Sequence, residues 1–182
     1  MNKNLRIICE GAICVALSYA LSYLKIPIGF AMGGFGGSID LVMIPLIIYA
    51  VHCGLGWGLG AGLVFGTLKF FLTGGAAINW QSMLLDYSVA YMFVGFAGAL
   101  RGHKWGLTLG ALLGCVCRFA VHFFSGITIY AILAPTEILG IVTGSPAIYS
   151  LLYNGTYMLP NTVLAVLLCA LLQRPLRRFL ER

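Results

Sequence analysis

Residues 105–133 read WGLTLGALLGCVCRFAVHFFSGITIYAIL, a run with one side chain charged at neutral pH, Arg118, and one imidazole, His122. Apolar stretches beyond about 18 residues match the length needed to cross a bilayer and exceed what a strand or a core helix of a soluble domain requires. The rest of the chain is built alike. Of its 182 residues 60% are hydrophobic and 9% charged, and the mean hydropathy is +0.98. A soluble domain carries about 25% charged residues. Eleven basic and five acidic side chains cannot cover a water-exposed surface of this size. A water-soluble enzyme, a nucleic-acid binder and a disordered chain are excluded. The chain is an integral membrane protein.

At about 20 residues per span the length accommodates six helices with short connections and no folded extramembrane domain. The expected fold is all-α, one six-helix membrane domain over residues 1–182. Its spans are expected near Leu5–Leu24, Ser38–Cys53, Gly54–Thr73, Gln81–Leu100, Trp105–Leu133 and Ile148–Leu172. The second is short and holds Pro45, and the third carries glycines 58, 62 and 66 in the spacing that lets helix backbones approach closely. The first apolar run has no small-residue cleavage site after it and is expected to be a retained span. Six spans place Lys3, Arg6, Arg101, Lys104, Arg174, Arg177, Arg178 and Arg182 on one side and Lys25 on the other. Basic residues collect on the cytoplasmic side, so both termini are expected there. The net charge of +6 then reports topology. Five of the six cysteines, Cys9, Cys14, Cys115, Cys117 and Cys169, lie inside apolar runs and Cys53 ends one, which suits small helix residues better than a disulfide set.

Ionisable and hydrogen-bonding groups inside spans are costly, so function is sought there. The candidates are Glu10, Asp40, Lys69, Asp86, Arg118, His122, Tyr149 and Asn154. Arg118, His122, Gly126 and Tyr130 follow at steps of four and share a helix face. Gly126 on that face would let a flat ligand approach the backbone. Asp86 has two readings: it pairs with Arg118 or Lys69, or it faces a cavity and meets a cationic ligand. Tyr149, Tyr153, Asn154 and Tyr157 add rings and an amide; the tyrosines also suit an interfacial belt, as does Trp80. In the six-span topology these groups share the external half. Rings to stack, an acid to neutralise and amide and phenol groups to orient suit a small, flat, cationic heteroaromatic.

Leu84-Leu85-Asp86-Tyr87-x-x-Ala90, Gly95-Phe96-Ala97-Gly98, Arg118-Phe119-x-x-His122-Phe123-x-x-Gly126-x-x-x-Tyr130 and Tyr149-Ser150-x-x-x-Asn154-Gly155 together resemble the thiamine-specific S component of energy-coupling factor (ECF) vitamin transporters. The similarity runs over nearly the whole chain and includes Gly36-Gly37-Ser38, Asp40 and Ile44-Pro45. It implies a multi-pass protein of the bacterial cell membrane that binds thiamine through Asp86, Tyr87, His122, Gly126, Tyr130, Tyr149 and Asn154, with Trp80 and Phe35 as further candidates. The family position matched by Asp86 can carry glutamate, and that matched by Tyr130 can carry tryptophan. The resemblance also implies partners: an ECF module of two ATPase subunits and one coupling membrane subunit, docked through small residues of the first helix. Ala12, Ala16 and Ala20 form such a stripe, which internal helix packing would explain equally well.

The chain has no Gly-x-x-x-x-Gly-Lys-[Ser/Thr] loop, so the energy for uptake comes from partners or a gradient. No catalytic residue, metal or cofactor is expected. An intramembrane hydrolase using His122 with Ser125 or Ser150 lacks the Gly-x-Ser-x-Gly elbow. A stand-alone secondary transporter is disfavoured by the absence of an internal repeat.

Overall fold

A computed structural model describes residues 2–28, 37–73, 77, 79–129 and 137–180. In chain order its elements are α1 (Lys3–Leu21), β1 (Lys25–Pro27), β2 (Ser38–Asp40), α2 (Met43–Cys53), α3 (Leu55–Thr73), α4 (Trp80–Leu100), α5 (Gly106–Thr128), β3 (Glu137–Ile138), β4 (Ile141–Val142), α6 (Pro146–Gln173) and α7 (Arg177–Leu180). Five helices, α1, α3, α4, α5 and α6, are long and apolar enough to cross a membrane, and α2 is a shorter apolar helix. The outer surface is apolar, with Ile13, Leu17, Phe71, Leu167 and Leu171 exposed, as lipid contact requires.

The second expected span therefore needs correction. Residues 38–40 are extended and pair antiparallel with β1, in the register Lys25 with Asp40, Ile26 with Ile39 and Pro27 with Ser38. Helix begins only at Met43, and Pro45 lies in its first turn, where a missing N–H costs nothing. The proline helps to start α2 and does not interrupt it. Eleven residues rise about 16 Å, roughly half the hydrocarbon core. Nine of those residues are buried, so α2 serves as the core of the bundle. Its Leu46 and Ile47 share the buried core with Phe65, Tyr91, Val94, Leu107, Ala111 and Cys115, all at 2% exposure or less. A second small antiparallel pair joins β3 and β4, and among the described residues these two strand pairs are the strands of an otherwise helical protein.

One residue separates α2 from α3. Gly54 takes φ +99°, which reverses the chain there. The glycine stripe of α3 then packs on α4 by backbone approach. A Cβ at Gly62 would stand 2.2 Å from the Tyr91 carbonyl oxygen and one at Gly66 would stand 2.3 Å from that of Tyr87. This bears out the close packing expected from the spacing, and it sets Tyr87 and Tyr91 in register with α3. At the far end of the bundle, Gln173 Oε1 accepts from the free N–H groups of Leu107 (3.0 Å) and Thr108 (3.2 Å), capping α5 with the last residue of α6.

Candidate functional site

Helix α4 changes pitch where its acid sits. Residues Leu84–Val89 form a π-helical turn, closed by the Ala90 N–H donating to the Leu85 carbonyl, and Asp86 and Tyr87 lie within it. Single π-turns widen a helix and frequently mark functional positions. Nothing in the residue pattern announces the widened turn, because it depends on how α4 fits against α3 and α5.

Asp86 Oδ1 lies 3.3 Å from His122 Nδ1 of α5, with the two side chains 17% and 8% exposed. The sequence leads one to expect Asp86 to pair with Arg118 or Lys69 or to meet a ligand. It meets His122, a partner the sequence reading does not name, and Lys69 meets Asp40, Nζ to Oδ2 at 3.4 Å. Asn154 of α6 ties into the same place. Its Nδ2 donates to the His122 carbonyl (3.3 Å), the Ser150 carbonyl (2.9 Å) and Ser150 Oγ (3.1 Å), and its Oδ1 accepts from the Tyr157 hydroxyl. The Tyr157 ring stands edge-on to the His122 imidazole at 5.9 Å. Tyr149 and Tyr153 stack with centroids 6.0 Å apart. Tyr87 meets Phe70 of α3 edge to face at 5.2 Å.

A second layer supports this one. Lys69 Nζ donates to the Tyr91 hydroxyl (2.6 Å), and the Arg118 guanidinium covers the Tyr91 ring at 4.1 Å from its centroid. Asn161 Oδ1 accepts from the Asp40 N–H (3.0 Å), and its Nδ2 donates to the carbonyls of Ser38 (2.7 Å) and Tyr157 (2.8 Å). Tyr157 therefore joins the layers, through its hydroxyl to Asn154 and its carbonyl to Asn161. Asp40 and Asp86 offset Lys69 and Arg118, which makes so many ionisable groups tolerable in an apolar bundle.

Several buried polar atoms here have no hydrogen-bond partner among the described residues: His122 Nε2, Arg118 Nε and Nη1, Ser125 Oγ and Tyr149 Oη. Each such atom costs about 1–3 kcal/mol when left unmet. His122 Nε2 belongs to the Asp86–His122 pair itself, and Arg118 and Ser125 lie about one turn to either side of His122 on α5.

The structure thus brings Asp86, His122 and Asn154 into one cluster, to which Tyr149 is linked along α6 through the rings of Tyr153 and Tyr157. Gly126 serves a different contact from the one expected. A Cβ there would fall 2.1 Å from Ser150 Oγ, so the missing side chain admits Ser150, which donates to the Phe123 carbonyl at 2.9 Å. Gly126 locks α5 to α6 behind the site. Trp80, 68% exposed, begins α4 away from the cluster's interior. Tyr130 and Phe35 lie outside the described residues. Sequence reasoning named Tyr157 as one of the rings of the sixth span but left Ser150, Tyr91 and Asn161 out of the site. The steps of four from Tyr149 through Tyr153 and Tyr157 to Asn161 on α6 carried that signal.

A family model described as thiamine transporter protein (Thia_YuaJ) matches residues 8–181. The thiamine transporter ThiT of Bacillus subtilis (strain 168) is 33% identical, the alignment covering 75% of each chain. That of Lacticaseibacillus paracasei is 28% identical over 94% of this chain and 88% of its own. A solved structure of ThiT from Listeria monocytogenes superposes with a TM-score of 0.80 at 22% identity, covering 98% of this chain and 99% of that one, which shows a shared fold.

Proposed function

The chain belongs to the thiamine transporter family, and from that premise we propose that it captures thiamine as the substrate-binding S component of an ECF importer, in the site formed by α4, α5 and α6. It is a transporter and not an enzyme. The observation that carries the reading is the buried Asp86–His122 pair with His122 Nε2 unmet, on a helix that also holds the unmet Arg118 and Ser125 atoms.

Thiamine presents a fixed positive charge on its thiazolium ring and an aminopyrimidine with donors and acceptors. The Asp86 carboxylate supplies the negative charge and can accept hydrogen bonds. His122 Nε2 and the Tyr149 hydroxyl supply further polar contacts, and Tyr87 and Tyr149 supply ring faces. Asn154 acts through the wall: its amide holds the His122 carbonyl and Ser150, so it keeps α5 and α6 at the spacing the ligand needs. Gly126 permits that spacing. Tyr130, two residues beyond the end of α5, is proposed as a further ring for the ligand from its place in the sequence alone. Because the polar groups are held by hydrogen bonds across helices, little ordering is left for the ligand to impose.

Uptake then needs an energy source, and two ATPase subunits with a coupling membrane subunit supply it. Ala12, Ala16 and Ala20 are all exposed on α1, whereas Gly11, Val15 and Ser18 face the bundle. Exposure removes internal packing as the explanation for the stripe and favours a face for the coupling subunit. In the membrane, α2 with the extended residues before it completes a sixth crossing, since extended chain rises about 3.3 Å per residue. Both termini are then cytoplasmic.

Titration of the purified protein with thiamine tests the reading. Saturable quenching of tryptophan fluorescence is expected, with no comparable response to pyridoxine or riboflavin. Saturation by another vitamin and not by thiamine would overturn the substrate and leave the transporter class standing.

A further inference from the structure

At the opposite end of α4 from Asp86, Glu10 of α1 meets His52 and Cys53 of α2. Glu10 Oε2 lies 3.4 Å from His52 Nε2 and 4.0 Å from Cys53 Sγ, and all three donor atoms fall within 4.8 Å of one another. We propose that Glu10, His52 and Cys53 form a zinc-binding site that clamps α1 to α2, separate from the thiamine site.

The donor set suits the ion. Zinc is borderline-soft and takes sulfur, imidazole nitrogen and carboxylate oxygen together. Tetrahedral bonds of about 2.0–2.3 Å separate ligand atoms by roughly 3.3–3.8 Å. The Glu10–His52 distance falls in that range, and the Glu10–Cys53 distance exceeds it by about 0.2 Å. The His52–Cys53 pair, within 4.8 Å, closes by up to about 1 Å on binding. The two carboxylate oxygens are divided between tasks: Oε1 accepts from Arg6 Nε at 2.8 Å, which leaves Oε2 toward His52 and Cys53. Arg6 is thereby a positioning residue for the ligand oxygen, the usual role of an outer-shell partner. The His52 ring is held flat against Phe179 of α7, with centroids 4.0 Å apart. Arg101 Nη1 donates to the Cys53 carbonyl at 3.1 Å and fixes the backbone beside the thiol.

The three residues line a cavity of about 310 Å³ together with Lys3, Arg6 and Arg101. On binding, the Cys53 thiol releases its proton to water and the thiolate forms the zinc–sulfur bond. His52 binds as neutral imidazole through Nε2 and Glu10 as carboxylate through Oε2. Thiolate and carboxylate together balance the dication, so the basic rim is not opposed by excess positive charge. A water fills the fourth position on the cavity side.

The test uses the full-length protein, freed of any histidine tag, in detergent micelles. After equilibration with zinc chloride and dialysis, elemental analysis is expected to find about one zinc per chain, and the melting temperature is expected to rise with zinc. Cys53→Ser and Glu10→Gln are each expected to lower zinc affinity roughly tenfold or more, and Arg6→Gln to do so through positioning alone. Cys117→Ser on α5 is expected to retain wild-type zinc. Cobalt(II) added to the wild-type protein gives a second readout, a thiolate-to-cobalt charge-transfer band that needs no variant to fold. Absence of that band in the wild type, or equal zinc retention by Cys53→Ser, would overturn the site; the three groups would then be only hydrogen-bonded to one another.

Discussion

Replacing Asp86 by asparagine removes one negative charge while leaving the volume and one oxygen in place. The carboxylate lies 3.3 Å from His122 Nδ1 with its side chain 17% exposed, so water screens it only in part. A unit charge about 5 Å away, at an effective dielectric constant near 20, interacts with it by roughly 3 kcal/mol. Hydrogen bonds to charged groups contribute about 1.5–3 kcal/mol in mutational series. At about 1.4 kcal/mol per factor of ten, both routes predict thiamine affinity lower by roughly 10- to 200-fold in Asp86→Asn. Fluorescence titration of the purified variant measures the affinity, and thermal unfolding without ligand checks that the bundle is intact. Asp86→Glu should retain much more affinity, since it keeps the charge and moves it by one methylene. A dissociation constant for Asp86→Asn within about twofold of wild type, with the ligand-free melting temperature unchanged, would refute the assignment of Asp86 to the ligand.

Asn154→Ala removes the amide that holds the His122 carbonyl and Ser150, and leaves the Tyr157 hydroxyl without its acceptor. Thiamine affinity is expected to fall roughly tenfold, with about 1–3 kcal/mol lost from stability, read by titration and melting. Gly126→Ala forces a Cβ onto Ser150 Oγ, 2.1 Å away in the present packing. The expected cost is about 1–3 kcal/mol of stability, and the double variant with Ser150→Ala should recover part of it. Lys69→Met leaves the buried Asp40 carboxylate without the ammonium 3.4 Å away, which should destabilise by about 3–5 kcal/mol. Adding Asp40→Asn should restore most of that loss, and thermal unfolding of both variants measures it.

Much of the site was legible because each polar residue in an apolar run stands out. Asp86, His122 and Asn154 belong to three helices, and their residue types alone nominated them. Their mutual contacts were not legible. For Asp86 the sequence offered Lys69 or Arg118 as a partner, or a ligand, and the contact with His122 depends on how α4 is rotated against α5. Asp86 sits in the π-turn at Leu84–Val89, which no residue pattern encodes. The periodicity of α5 puts Arg118, His122 and Gly126 on one face, and it could not foresee that α6 brings Ser150 Oγ to where a Gly126 Cβ would stand.

The sequence by itself determined that the chain lives in a membrane, because a surface with so few charges has no other solvent available to it. It also determined five of the six expected spans, because an isolated apolar stretch in lipid must satisfy its own backbone hydrogen bonds as helix. Only the tertiary structure decided the remaining segment. Residues 38–53 are apolar enough for a span, but β1 offers residues 38–40 an extended partner and Asn161 receives the Asp40 N–H. Once backbone groups are satisfied by other parts of the chain, helix is no longer obligatory, so α2 begins late and fills the core. The same physics shaped the site: local pattern chose which groups were polar, and packing chose which of them met.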